Sequence, residues 1–415
     1  MRRWTVVALA IGVLATGCSS GAGKGTLKLG ALYPLGGAQG PGGIEEFRGA
    51  QLAVERANAG GGMRGRRVVL DSVDVESAEA APAAVRRVAA DGARLVLGSY
   101  GSTISSTAST AAAAQNLLFW ETGAVGETPS GAGAGRNFFR APPTGVSLGE
   151  AGVSFMRDVF VPKLAAGHPL RYTVVYVDDA YGRAVGLGAV DELKRTGQVV
   201  ANVIPYPARG TDYAALAQKV AADHPDVMFA SAYLDDGIAL RKALVDAHVP
   251  LMAAIGTSSS YCMPAFGAAL GTAAVGLFAS DKPDADDVRP STLKADAAAA
   301  LTWVRSTYER RFHTEMSAAA LAGFANTWGL LVHVLPAASS LTPAGVARAA
   351  LSVKLPLGGL PNGSGLDFAG PGTPAAGSNR AAASVIWQWV APGKRTVVWP
   401  PAFAYEPVKV LPIEQ

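Results

Sequence analysis

Leu27-Lys28-Leu29-Gly30-Ala31-Leu32 alternates with period two, and beyond a glycine-rich loop Phe47, Ala50, Val54 and Ala57 share one face of a helix. The spacing predicts strand, loop, helix. The motif recurs with strands at Val68–Val73, Arg94–Gly98 and Leu117–Trp120, and with helices from near Pro82 to Ala90 and from Thr103 to Ala114. Regular alternation of strand and helix implies a parallel sheet.

A second series starts beyond Phe138-Phe139-Arg140. It has a helix from Gly145 to Leu164 and strands at Tyr172–Val177, Val199–Ile204, Val227–Ala230 and Leu251–Ile255, with one helix opening at Thr211-Asp212, a good N-cap pair. Ser317 to Pro336 is uncharged, but Gly323, Asn326, Thr327, Gly329 and His333 dilute it, so it reads as a buried helix rather than a membrane span. The Gly- and Pro-rich stretch from Leu357 to Gln415 carries two further strands, at Ala383–Val390 and Thr396–Trp399.

Length supports the division into halves, because single cores stop growing at roughly 250 to 300 residues and this chain has 415. With 49% hydrophobic and 16% charged residues, the chain has ample material for packed cores. Lys and Arg (36) nearly balance Asp and Glu (32), and no basic run marks a nucleic-acid surface.

The start of the chain reads as an export signal: Arg2 and Arg3, an apolar stretch from Trp4 to Ala15, then Thr16-Gly17-Cys18. Leu14-Ala15-Thr16-Gly17-Cys18 resembles a bacterial lipobox, which makes Cys18 the lipidation site and Ser19–Gly25 a flexible tether. Ordinary secretion and twin-arginine export are the alternatives, and all three put the protein outside the cytoplasm. Cys262, the other of two cysteines, then has no intrachain partner and reads as a small apolar residue.

Enzyme signatures fail their context tests. Gly21–Thr26 suggests a phosphate loop, but Cys18 and Gly25 stand where that motif requires Gly and Ser or Thr. Gly131–Gly135 follows no strand and opens no helix, and the five histidines show no ligand spacing. We therefore expect no catalysis, cofactor or metal.

The informative residues lie at strand ends, where open α/β sheets bind ligands. After the strand ending at Gly98 come Tyr100, Ser102 and Thr103, whose hydroxyls and helix-start amides suit a carboxylate or other anion; simple capping of the helix is the alternative. In the second half Tyr181 follows Asp178-Asp179, and Tyr233 stands beside Asp235 and Asp236; for the tyrosines, structural packing is the alternative.

Together, Leu29–Gly37, Phe47–Val54 with Asn58–Gly61, Asp178–Arg183 and Gly210–Tyr213 resemble the branched-chain amino acid binding proteins, the periplasmic type I solute-binding family of ABC importers. The resemblance runs from Leu27 to about Leu366. It implies two doubly wound parallel-sheet lobes joined by three crossovers, near Ala141–Gly145, Ala279–Lys282 and Ser352–Gly358. The resulting division is a signal peptide at 1–18, a tether at 19–26, one lobe from 27–143 and 281–354, and another from 144–280 and 355–415.

In such proteins a serine matching Ser102 holds the ligand's carboxylate and a tyrosine matching Tyr181 contacts it from the other lobe. The ammonium usually meets a hydroxyl and an acid at the positions of Ala124 and Ser258, and neither group is present here. Thr122 is a substitute hydroxyl, and Glu121 and Asp235 are candidate partners for a ligand cation. A buried ammonium without a counter-charge costs several kcal/mol, so the resemblance implies an amino acid, amide or small carboxylate rather than leucine, isoleucine or valine by default. It also implies a monomer, tethered through Cys18, that delivers ligand to an inner-membrane ABC permease. A ligand sensor feeding a receptor or regulator is the alternative on the same fold.

Overall fold

The computed structural model describes residues 25–128, 130–164 and 166–415; the expected signal segment, Cys18 and all but the end of the tether lie outside them. Strands β1 (Thr26–Tyr33), β2 (Arg67–Asp74), β3 (Leu95–Gly98), β4 (Leu118–Glu121) and β5 (Phe138–Arg140) form a parallel sheet in the order β2-β1-β3-β4-β5. Strands β6 (Arg171–Val177), β7 (Val199–Tyr206), β8 (Val227–Ser231), β9 (Ala253–Thr257) and β10 (Phe278–Asp281) repeat that order as β7-β6-β8-β9-β10. Two antiparallel strands, β11 (Val385–Ala391) and β12 (Lys394–Trp399), extend the second sheet beyond β10. Each lobe is thus doubly wound, with its direction of winding reversed between the first and third of its strands.

Helices α1 (Gly40–Ala59), α2 (Ala81–Ala90) and α3 (Ser102–Ala114) connect the strands of the first lobe; α4 (Gly145–Phe155) to α8 (Pro264–Leu270) serve the second. In the latter series α5 is Ala180–Arg195, α6 Tyr213–Ala222 and α7 Leu234–Asp246. Asp179 accepts from the amides of Tyr181 and Gly182 at 2.9 Å and so fixes where α5 begins; Asp212 accepts from Ala215 N at 3.0 Å and does the same for α6. The chain then returns to the first lobe through α9 (Ala295–Phe312) and α10 (Ala318–Trp328). The apolar helical stretch Ala318–Ala337 is long enough to cross a membrane, but its most apolar window is 83% buried in the protein, as expected of a core helix.

Helix α10 crosses α1 at close range because glycines face backbone there. A Cβ on Gly49 would lie 2.0 Å from Ala320 O, and one on Gly323 would lie 2.0 Å from Glu46 O. This crossing carries Glu46 and Asn326 underneath the end of β4, where Asn326 Nδ2 donates to Thr122 O at 2.7 Å.

One expected boundary is corrected. Residues 355–381 lie on the first lobe, not the second: Arg140 N donates to Gly377 O (2.7 Å), Asn379 N donates to Arg140 O (3.0 Å), and Phe368 packs edge-on against Trp120 and Phe139. The third crossing therefore falls between Ala383, whose amide donates to Ser364 Oγ, and β11, rather than at Ser352–Gly358. Apolar Leu360, Leu366 and Phe368 decide it, by completing the core beside β4 and β5. The final residues then strap the second lobe: the Gln388 side chain pairs with the Lys409 backbone, and buried Arg241 donates to Glu414 O at 2.6 Å.

Candidate functional site

The carboxyl ends of β3 and β4 in one lobe face those of β6, β8 and β9 in the other, and the segments that follow them line a shared cavity. From the first lobe come Tyr100, Ser102, Gly123 and Val125; from the second come Tyr181, Tyr233 and Ser258. Lys282, just past β10 where the chain crosses between lobes, lies at its side. The cavity is about 10 Å³, room for roughly one water, because the tyrosines fill the cleft.

On the first-lobe wall, α3 starts without a side-chain cap: Gly101 is its N-cap, so Ser102 and Thr103 do not perform the capping that was the alternative reading. Ser102 Oγ accepts from Gly126 N at 2.9 Å, and its hydroxyl proton has no acceptor among the described residues. An uncapped helix start with a free hydroxyl proton beside it is a ready anion site. Thr103 does not line the cavity, although its Oγ1 is buried without a hydrogen-bond partner.

The second-lobe wall is a pair of tyrosines with ring centroids 5.2 Å apart. Tyr181 OH bonds to Thr257 Oγ1 (3.0 Å) and donates to Ser258 O, so its hydroxyl is held within its own lobe and its ring forms the surface. Tyr233 OH donates to Asp179 Oδ2 at 2.6 Å. That same carboxylate caps α5 with its other oxygen, which couples the position of the tyrosine pair to the start of the helix.

Three hydrogen bonds join the lobes here. Tyr100 OH donates to Ser259 Oγ (2.7 Å), Gln39 Nε2 donates to Tyr233 OH (3.3 Å), and Lys282 Nζ donates to Gly123 O (3.3 Å). Lys282 is buried and pairs with Asp281 at 3.4 Å. Burial favours its neutral form, but Asp281 and then Glu46 outweigh this and hold its pKa above the usual lysine value. Cys262 is buried as expected, and its thiol donates to Asp281 Oδ2 at 3.1 Å.

The substitutes proposed for the missing ammonium partners do not reach the cavity. Thr122 is fully buried behind it, its hydroxyl donating to Glu46 Oε1 (2.6 Å) and accepting from Tyr33 OH (2.8 Å). Glu121 is also fully buried, and accepts from Ser105 Oγ and from the amides of Gly123 (3.0 Å) and Ala124 (2.8 Å). Asp235 is exposed on the first turn of α7. Glu121 is the last residue of β4 and Thr122 follows it, and their side chains are taken up by the packing on either side of the strand, Glu121 toward Ser105 on α3 and Thr122 toward Glu46 on α1. Burial raises the pKa of Glu46 to about 8, helped by the nearby Glu121 charge, and burial raises Glu121 to about 7 against the pull of Arg140.

Lys282 and Ser259 were missed from sequence. Reading Phe278–Asp281 as a fifth parallel strand would have placed Lys282 at a strand end, by the rule that found the tyrosines. Among the described residues no cluster of His, Cys, Asp and Glu could hold a metal ion.

A family profile described as periplasmic binding protein matches residues 26–376. Leu/Ile/Val-binding protein homolog 8 of Brucella suis biovar 1 is 27% identical over 279 residues, 66% of this chain and 69% of that protein. A leucine-binding protein from Thermotoga maritima superposes with a TM-score of 0.72 at 16% identity, covering 90% of this chain and 97% of that one. A solute-binding protein from Rhodopseudomonas palustris, solved with benzoate, superposes with a TM-score of 0.72 at 17% identity, covering 93% and 99%. At these identities the two structures speak to the fold: α/β, with parallel sheets in two lobes.

Proposed function

The chain belongs to the periplasmic binding protein family, and from that premise we propose that it is an extracytoplasmic solute-binding lipoprotein of an ABC importer. It captures a small carboxylate-bearing ligand between its lobes and catalyses nothing. The observation that carries the ligand class is the cavity lining: the uncapped start of α3, the free hydroxyl proton of Ser102 and buried Lys282 converge on it, and no acidic side chain lines it. An anionic end is matched by three groups; an ammonium end has none. That leucine and benzoate are bound by different proteins of this fold is consistent with a ligand class chosen by wall chemistry.

Closure supplies the binding logic. A ligand that touches Ser102 on one wall and the Tyr181–Tyr233 surface on the other gains its full contact only when the lobes meet, so it favours the closed form that a permease can recognise. The lipid on Cys18 keeps the protein at the membrane for that delivery.

The test is a thermal-shift panel of amino acids, amides and amine-free carboxylates. A ligand at 100 times its Kd stabilises by about 2.7 kcal/mol, and carboxylates are expected to lead the panel. Ser102→Ala should weaken the best of them roughly tenfold by removing a hydrogen bond to a charged group. Preference for amides or cations over carboxylates would refute the ligand class. Labelling with palmitate, lost on Cys18→Ser, tests the anchor.

A further inference from the structure

Beyond Val125, which lines both, the interlobe space opens into a second and larger compartment of about 400 Å³. That lies in the range of small-molecule pockets. Its walls come from both lobes: Arg140, Thr128 and Ser378 on one side, Thr144 and Val146 at the start of α4 on the other, with Glu127 exposed among them.

Arg140 is the unusual group. Only 2% of it is exposed, yet no carboxylate oxygen among the described residues lies within 4 Å of its guanidinium. Its Nε donates to Ala124 O at 3.1 Å and its Nη1 to Thr128 Oγ1 at 3.2 Å, both neutral acceptors, while Nη2 makes no hydrogen bond among the described residues. Elsewhere buried cations are answered: Lys282 by Asp281, Arg395 by Asp284, and the Nη2 of Arg241 by a backbone carbonyl in closed packing. Glu121 and Glu127 act on Arg140 only through space, so the buried guanidinium still lacks a directly paired anion at Nη2. Burial lowers its pKa to about 10 against the opposing pull of the Glu121 and Glu127 charges, which still leaves it protonated at neutral pH.

Opposite Arg140, the side chain of Thr144 caps α4 by accepting from Ser147 N, and the Gly145 amide donates to Val125 O. The Val146 amide, at the start of an eleven-residue helix and in a residue that lines the compartment, has no acceptor among the described residues.

We propose that this compartment is a second anion site, distinct from the tyrosine-lined cavity, in which a small monocarboxylate pairs with Arg140 Nη2 and reaches the start of α4. The anion supplies the hydrogen-bonded partner that Nη2 lacks, and it ties the lobes together. Glu127 at the rim disfavours a second negative charge, so dicarboxylates bind worse than monocarboxylates. This does not rest on the ligand class assigned to the tyrosine cavity.

Butyrate is the probe and n-butanol its neutral control, with binding to the purified full chain followed by calorimetry. Butyrate is expected to bind and butanol not, and Arg140→Gln should weaken butyrate at least about tenfold. Because Arg140 also braces Ala124 and Thr128, Ala375→Trp is the companion variant. Ala375 is an exposed lining residue, so the indole fills the compartment without touching the core, and butyrate binding should be lost. The proposal is overturned if wild type does not bind butyrate, or if Ala375→Trp binds it undiminished. Loss of butyrate binding in Ser102→Ala with Ala375→Trp unaffected would place the carboxylate in the tyrosine cavity instead.

Discussion

Replacing Glu46 by Gln should flatten the dependence of stability on pH between about 4.5 and about 8. Glu46 is fully buried below the floor of the cleft, where its Oε1 accepts from Thr122 and its Oε2 has no partner among the described residues. Its pKa rises from 4.5 to about 8 on folding, chiefly through burial. Between those values the folded protein holds on Glu46 a proton that the unfolded chain has released, so the contribution of this group to stability falls as pH rises from about 4.5 to about 8 and is constant on either side. At about 1.4 kcal/mol per pKa unit, this is a loss of up to about 5 kcal/mol across the window. Part of it originates in the Glu121 charge, so a measured value of about 3 to 5 kcal/mol is expected. Gln keeps the acceptor for Thr122 and cannot ionise, so the loss should vanish in the variant. Urea melts of wild type and Glu46→Gln at intervals from pH 4 to 9 measure the difference directly. Two curves that run parallel across this range would refute the assignment of a buried, neutral Glu46.

Three further outcomes follow from packing and pairing. Gly123→Ala would put a Cβ 1.5 Å from Glu46 Oε2, so overpacking should cost about 1 to 3 kcal/mol in thermal melts and displace the carbonyl that Lys282 grips. Tyr181→Phe keeps the ring that packs tilted against Tyr233 but leaves Ser258 O without its donor, and should cost about 1 to 2 kcal/mol by denaturant melts. Arg395→Gln strands buried Asp284, with Asp287 close by, and should destabilise by about 3 to 5 kcal/mol; a loss under 1 kcal/mol would show that the pair is solvated.

The cleft was half legible in the sequence. Tyr100, Ser102, Tyr181, Tyr233 and Ser258 all line the cavity because each follows a parallel strand, and strand ends are recognisable from hydrophobic runs. Thr122 and Glu121 obey the same rule and still miss the cleft. Glu121 turns toward Ser105 on α3 and Thr122 toward Glu46 on α1 and Tyr33 on β1, and these partners sit 16 to 89 residues away along the chain. The boundary at 355 failed for a related reason: Gly- and Pro-rich sequence carries little periodicity, so the lobe it joins was settled by where Leu360, Leu366 and Phe368 could be buried.

By itself, then, the sequence determined the alternation of strand and helix, the presence of two lobes and the strand-end residues, since hydrophobic period and capping chemistry are local properties. Tertiary structure alone decided which of those residues face one another, because that depends on how α10 crosses α1 and where the chain passes between lobes. It also set the charge of the cleft. Lys282 enters the cavity because β10 ends there, and Arg140 has no directly paired carboxylate among the described residues because Glu121 bonds to its own loop amides and acts on the guanidinium only through space.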